Sequence, residues 1–418
     1  MMEKLDVLKP SWYDRFQCKG GDCFYNCCQC WEISMSREEY RKWRKKKVVG
    51  RDEWGLTIEL YSPDKKTDAN YAKFILDREN KCPMLTEEGL CRAQKNYGYS
   101  ILSQTCQSFP RQNHRYLDQV ECSMSLGCER VLELLMEEKD GVLLINGKKA
   151  FSPESRYGSY VIKNKKKQLS ALDYYYDIQT LCIILLQLEE IPLEDRMLLL
   201  GMAMRRIDEL TAEGNCIDIP VYIDWFIKEL EQGEILGMLQ GIKADNTLSV
   251  YYSVLTGLMY LNGGDQYYSQ VMERICKRLN LNMDADLKNI LENKEESFKL
   301  EKELYHGCKE QFQEWIHGKE YFLENVMISY MFYANIPFKD MERSLWENYL
   351  YFIWVYSMVK VSLTTYLEAD STSEDMIHCC SVFFRKLGHN RSLFDKVIND
   401  FNTHGNSLAH LAVLLKSC

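Results

Sequence analysis

ALDYYYDIQTLCIILLQLEEIPLEDRMLLLGMAMRRIDEL, residues 171–210, decides the fold class. Within it, ALDYYYDIQTLCIILLQL and LEDRMLLLGMAMRRIDEL both place apolar residues at three- and four-residue spacing, the period of a helix with one buried face. VYIDWFIKELEQ, residues 221–232, does the same, and the pattern returns near 285–315, 319–335, 341–367, 374–388 and 405–416. Only eight prolines occur in 418 residues, which suits long helices. No fixed-period repeat emerges, so a solenoid is not indicated. The tyrosines and methionines on these helices read as core. The most apolar segment, Asn348–Leu367, is interrupted by Lys360, and the uncharged run before that lysine is too short to span a bilayer. It reads as a buried core helix.

Upstream the character changes. Residues 152–168, SPESRYGSYVIKNKKKQ, are polar and basic, as a linker or exposed turn would be, and KNKKK reads as a solvated loop. This boundary divides the chain into an expected cysteine-rich domain over 1–155 and a helical domain over 156–418, the latter expected to recognise substrate and supply part of the active site. In the first part, Ser36-Arg37-Glu38-Glu39 has the form of a capping box opening a helix that ends in basic residues. GLTIELY and AKFILD read as short strands, and LLINGKKAF as holding an Asn146-Gly147 hairpin turn. The expected fold is mostly α: a small irregular α+β cysteine-rich domain, then an all-helical one. The first part has few apolar residues for a core of its own, so a bound metal would help it fold.

The 46% hydrophobic content supports a sizeable core, and the net charge of −9 argues against a nucleic-acid-binding protein, whose contact face is strongly basic. An acidic chain would suit a lysine-bearing substrate. The opening MMEKLDVLKPSWYDRF has neither an apolar h-region nor a small-residue cleavage site, so a cytoplasmic location without membrane insertion is expected.

Ten of the seventeen cysteines lie between Cys18 and Cys128. Cys18, Cys23, Cys27 and Cys28 open the cluster, and Cys82, Cys91, Cys106 and Cys128 follow. Thiols in a reducing compartment point to metal rather than disulfides. Zinc modules favour paired CxxC knuckles or cysteine with histidine, whereas this part has His114 alone and a vicinal Cys27-Cys28. An iron–sulfur cluster is therefore favoured, with zinc the alternative. Cys23-x3-Cys27-x2-Cys30 also has the three-cysteine spacing of radical S-adenosylmethionine enzymes, but Gln29 stands where an aromatic is preferred, and helices follow in place of a β/α barrel. Cys182, Cys216, Cys276, Cys308, Cys379, Cys380 and Cys418 are scattered on helical segments and read mostly as small buried hydrophobes. His378-Cys379-Cys380 is a poor chelate, because adjacent helical residues point to different faces.

Four stretches carry a resemblance: YDRFQCKGGDCFYNCC (13–28), CPMLTEEGLCRAQKNYGYSILSQTCQSFPR (82–111), ECSMSLGCE (121–129) and ENVMISYMFYANIPF (324–338). Together they resemble the bacterial flagellin lysine-N-methylases. Parts are similar to small cysteine-rich proteins that chelate zinc or iron. The resemblance implies methyl transfer from S-adenosylmethionine to lysine ε-amines of flagellin. It also implies an iron–sulfur cluster, of 4Fe-4S type, at positions matching Cys18, Cys23, Cys27, Cys28, Cys82, Cys91, Cys106 and Cys128. Two departures stand out. Glu129 follows Cys128 where the family commonly has proline, and Cys30 and Cys122 are extra thiols.

Methylating an amine requires it to be neutral, yet a free lysine is protonated at pH 7. A carboxylate or a tyrosine could take the proton, and Glu121 and Glu324, both inside matching stretches, are the candidates, although carboxylates also commonly cap or pair. Arg111 could hold a cofactor carboxylate in a bidentate grip or pair with a domain acid. No glycine-rich nucleotide turn is present, so S-adenosylmethionine is expected to bind elsewhere, its methionine amine and carboxylate on an open iron. The active site is expected where the two parts meet. A non-catalytic iron or zinc chelator and a radical enzyme are the rival functions.

Overall fold

Alternation in EKLDVLKP makes β1 (Glu3–Pro10), which turns Leu5 and Val7 into the core and Lys4 and Asp6 outward. This is a computed structural model, and it describes residues 3–45, 58–151, 157, 160–161, 169–240, 254, 257–258, 261, 265–281, 302–388 and 393–417. The second sheet is built from β2 (Ser34–Met35), β3 (Ile58–Leu60) and β4 (Ala72–Phe74), in the order β2-β4-β3. β5 (Arg111–Tyr116), β6 (Gln119–Met124), β7 (Leu144–Phe151) and β8 (Tyr160–Val161) join β1 in a mixed sheet of order β7-β1-β6-β5-β8. β1 runs parallel to β6 and antiparallel to β7, and β5 is antiparallel to β6.

The Asn146-Gly147 pair does not turn a hairpin. Both residues lie within β7, opposite Leu8 and Val7 of β1. The two strands pair without a break from Glu3↔Phe151 to Pro10↔Leu144, and that ladder outweighs the local turn preference. Part of the expected linker also belongs to the sheet, since Tyr160 and Val161 pair with Arg115 and Tyr116. The KNKKK run, and the first residues of both GLTIELY and the 285–315 segment, lie outside the described residues.

The first helices are short: α1 (Arg37–Lys45), α2 (Arg92–Tyr97), α3 (Gln104–Ser108) and α4 (Glu129–Glu137). The expected capping box opens α1, with Ser36 N donating to Glu39 Oε2 at 2.6 Å and Glu39 N to Ser36 Oγ at 3.3 Å. The helical part follows as α5 (Tyr175–Leu186), α6 (Leu193–Ala212), α7 (Ile219–Glu231), α8 (Glu234–Gln240), α9 (Gln266–Arg278), α10 (Lys302–Ile316), α11 (Tyr321–Ala334), α12 (Leu345–Tyr366), α13 (Ser373–Gly388), α14 (Leu393–His404) and α15 (Leu408–Ser417). The mostly α expectation holds. α12 is apolar all round and is enclosed by its neighbours, as a central helix must be. Ser344 and Glu347 cap it reciprocally. Among the described residues, no helix is long and apolar enough to cross a membrane.

Two hydrophobic cores result. The larger is continuous from the mixed sheet (Val7, Val120, Cys122) through α4 (Leu132) into the later helices (Leu199, Met204, Ile353, Val361). The smaller lies under the second sheet and α1–α3, around Met35, Trp43, Phe74, Met84 and Ala93. Cys28, Cys82, Cys91 and Cys106 belong to or pack on the smaller core, and Cys30 and Cys128 pack on the larger.

Candidate metal centre

Two glycines let the cysteine loops close on each other. Gly21 lies against the backbone of Glu88 and Gly89 so closely that a Cβ there would stand 2.1 Å from the Glu88 carbonyl. Gly89 has φ +73°, and a Cβ on it would be 2.7 Å from Gly21 Cα. Asn26 fastens the joint, donating to Gly89 O at 2.9 Å and accepting from Cys28 N at 2.9 Å. Cys82 N donates to Cys28 O at 2.8 Å, which ties the second cysteine segment to the first. Cys91 and Cys128 stand at the N-caps of α2 and α4, and Cys106 N donates to Ser103 Oγ at the start of α3. Helix N-termini favour the anionic form of a thiol.

These contacts gather seven of the eight predicted thiols. Cys82 belongs to the smaller core, and Cys28, Cys91 and Cys106 pack against it. Cys128 packs against the larger core. The thiols lie within each other's electrostatic reach. The hydrogen bond between the Cys28 and Cys27 thiols, helped by Arg385, lowers Cys27 against the opposing effect of burial, and the same bond together with burial pushes Cys28 far up. Burial is the first cause of the rise of Cys82 to about 11, with Cys91 and Cys27 adding to it. Burial likewise raises Cys106 and Cys128 to about 12, with Cys27 adding to both. Cys23 also rises to about 12, through burial and then Glu129, Cys128 and Cys27. Cys18 is exposed, and its sulfur accepts from Gly20 N at 3.4 Å.

A soft cation would displace these protons and offset the mutual repulsion, so the donor set suits iron–sulfur or zinc in kind. Among the described residues, no three of the His, Cys, Asp and Glu side chains already stand in an arrangement that could hold a metal ion. Of the two extra thiols, Cys122 is fully buried, and Cys30 packs on the larger core. The helical-segment cysteines within the described residues are buried, as expected, and Cys418 lies outside them.

Residues with no motif around them hold the loop in place. The Glu129 carboxylate accepts from Phe24 N at 3.0 Å and Tyr25 N at 2.6 Å. The departure from proline thus has a structural use. Arg385, on α13 and 6% exposed, donates to Tyr25 O at 2.9 Å, Asn26 O at 2.9 Å and Gly127 O at 2.8 Å. Its guanidinium lies 3.7 Å from the Tyr25 ring centroid. Tyr25 stacks on Tyr267 of α9 at 4.1 Å and donates to Asp265, the N-cap of that helix. Phe24 stacks on His378 at 4.1 Å, which gives that histidine a packing role. The signal for Arg385 and Glu129 was faint: a charged residue in an otherwise apolar helix stripe, and an acid at the first turn of a helix.

A cleft of about 930 Å³ opens beside the thiols, with Cys23, Cys82, Gln29 and Tyr267 in its walls. Four acids, Asp77, Glu79, Glu87 and Glu88, and three bases, Arg78, Lys81 and Arg92, share its lining.

The candidate carboxylates lie in different networks. Glu121 of β6 is 1% exposed and pairs across the strands with His114, so both face the helices. Tyr175 lies 2.8 Å from Glu121 Oε2 and 2.6 Å from Asn335 Oδ1, while Gln179 donates to its hydroxyl at 3.3 Å. Asn335 Nδ2 donates to Phe338 O, which fixes its Oδ1 toward Tyr175. One hydroxyl proton cannot serve two acceptors at once, so Tyr175 donates to Glu121 or to Asn335 at any moment. Burial, the largest influence, raises Glu121 to about 7, against the hydrogen bond from Tyr175, which lowers it. Glu324 at the start of α11 is gripped by Arg196 of α6 at 2.6 and 3.1 Å. Arg196 also donates to the carbonyls of Ile191 and Leu186. Arg111 is exposed, with its guanidinium 5.0 Å from the Phe16 ring centroid.

Comparison with known proteins adds to this geometry. A model of the FliB lysine N-methylase C-terminal domain matches residues 179–414. The flagellar biosynthetic protein FliU of Salmonella muenchen is 32% identical over 170 residues, covering 39% of this chain and 96% of that protein. A lysine-N-methylase of Salmonella typhimurium is 32% identical over 149 residues, covering 34% of this chain and 35% of that protein. One from Salmonella choleraesuis is 31% identical over 149 residues, with the same coverage. The chain thus matches about a third of the length of these two enzymes. No solved structure matches.

Proposed function

This chain belongs to the FliB lysine N-methylase family, and on that premise we propose that it transfers methyl groups from S-adenosylmethionine to lysine ε-amines of flagellin, in the cytoplasm, with an iron–sulfur centre on its cysteines. The observation that carries this reading is the meeting of Cys23, Cys27, Cys28, Cys82, Cys91, Cys106 and Cys128 beneath an arginine supplied by the helical part. A simple chelator would have no use for that link between the two parts. The cleft beside Cys23 and Cys82 is roomy enough for a nucleoside-sized methyl donor next to the thiols. The centre would supply a positive site for the donor's carboxylate and amine. The protein supplies loop rigidity through Asn26, Glu129 and Arg385. Glu121, held near neutrality in its pKa, is the group suited to exchange a proton. The domain division at 155/156 is proposed as a functional one, with metal on the first side and substrate recognition on the second.

The reaction forms an N–CH3 bond and breaks the S–CH3 bond, with the electron pair left on sulfur and the proton lost from nitrogen. It needs no reductant, which separates it from radical chemistry. Protein purified without oxygen, incubated with methyl-labelled S-adenosylmethionine and flagellin, should place label on lysine nitrogen, as read by mass spectrometry. Absence of label from metal-loaded protein would overturn the proposal. A strict requirement for a strong reductant would favour the radical reading.

A further inference from the structure

A smaller cavity, of about 290 Å³, has no cysteine in its wall but is lined by chain neighbours of Cys128 and Arg385. Ser125 and Leu126 line it just before Cys128 in the chain, and Phe384 lines it beside Arg385 on α13. It lies where the mixed sheet meets the helices, bounded on one side by Gln112 and His114 of β5. Five rings face it: Tyr330, Tyr333, Tyr351, Phe384 and Phe394.

The wall contains no carboxylate among the described residues. His114 is held uncharged, because burial lowers it to about 4 and its Nε2 proton goes to Tyr333 O at 2.8 Å. An ammonium entering such a space loses its water and finds no counter-charge, so it sheds its proton to solvent. Lys339, in the wall with its Nζ 5.6 Å from the Tyr351 ring centroid, is pushed in that direction: burial lowers its pKa against the pull of Asp340. Aromatic faces in turn favour the positive charge that grows on nitrogen as a methyl group is added. The volume fits an amino-acid side chain and lies below the range of about 300–1,000 Å³ typical of larger ligands. Asn335, in the same wall, connects to Tyr175 and Glu121.

We infer that this cavity receives the side chain of the substrate lysine as an uncharged amine, beside the cysteine centre. The inference rests on the methyltransferase reading for the identity of its occupant.

Gly388 offers a clean test. It stands at the exposed rim of the cavity, and a Cβ built on it meets no atom within 4 Å, so a larger side chain there can obstruct entry without displacing backbone. n-Butylamine, which copies the lysine side chain, is the probe. At pH 9 the wild type should bind it by calorimetry, with nuclear Overhauser contacts from its methylenes to tyrosine ring protons. Gly388→Leu should weaken that binding at least tenfold and slow flagellin methylation at least tenfold, with metal content and melting temperature retained. Butylamine that contacts no tyrosine ring in the wild type would overturn the inference without reference to any variant. Full methylation by a folded Gly388→Leu would also overturn it. Butylamine seated among the tyrosines of a protein that methylates no lysine would support the amine site while removing the methyltransferase reading.

Discussion

Arg385 donates to the carbonyl of Gly127 at 2.8 Å, one residue before Cys128, and so fastens a helix of the C-terminal part to the last cysteine of the N-terminal cluster. The same guanidinium holds the carbonyls of Tyr25 and Asn26, just before Cys27. Both arms of the thiol centre therefore depend on one side chain remote from them in sequence. Arg385→Ala leaves buried carbonyls without donors and should cost about 2–4 kcal/mol. Metal content should fall with it. Denaturant unfolding and metal analysis check this, and unchanged values of both would contradict the bridging role.

Glu121 sets a pH dependence. The unfolded chain releases this proton near the ordinary value of 4.5, the folded one only near 7. Between those values the unfolded state holds fewer protons, so stability declines as pH rises through the window, by roughly 3 kcal/mol in all. Glu121→Gln removes the effect. The difference in unfolding free energy between wild type and Glu121→Gln should therefore change from pH 4.5 to pH 7.5, in favour of the variant at the higher pH. A constant difference would show that Glu121 ionises normally.

Arg196 is 2% exposed, and Glu324 supplies its carboxylate partner. Glu324→Gln leaves a buried guanidinium short of a counter-charge, with an expected loss of about 3–5 kcal/mol. Thermal or urea unfolding measures it, and a loss below about 1 kcal/mol would mean the pair is dispensable.

Trp43 lies in the smaller core, against which Cys28, Cys91 and Cys106 pack. Stripping metal from the loaded protein should loosen that core and shift tryptophan emission to longer wavelength. Cys106→Ala should show the shifted emission from the outset. Cys122→Ala, altering a thiol buried in the larger core, should keep both metal and emission. Equal metal loss from Cys106→Ala and Cys122→Ala would contradict this division of the thiols.

Periodicity made the helical part legible, because apolar residues at three- and four-residue spacing have one stable solution. It also identified Asn348–Leu367 as a core helix, now the bulk of α12. The resemblance supplied the eight candidate thiols, and among the described residues no three of them already stand as a metal site. What could not be read was long-range. Asn146-Gly147 carries a turn signal that only pairing with β1 overrides. Arg385 looks like any helix arginine until α13 is docked. Glu121 and Glu324 are alike in sequence, yet one is buried against tyrosine and asparagine and the other is held by arginine. Such differences arise from partners that are distant in the chain, which local pattern does not encode.

The most direct test of the account joins metal to activity. Protein purified without oxygen is divided, one part stripped by chelation and one part reconstituted with iron and sulfide, and each is given S-adenosylmethionine and flagellin without reductant. Methylation in proportion to bound cluster, lost on stripping and restored on reconstitution, is the predicted result. Metal-free, folded protein that methylates lysine at the full rate would contradict the claim that the gathered thiols form the working centre.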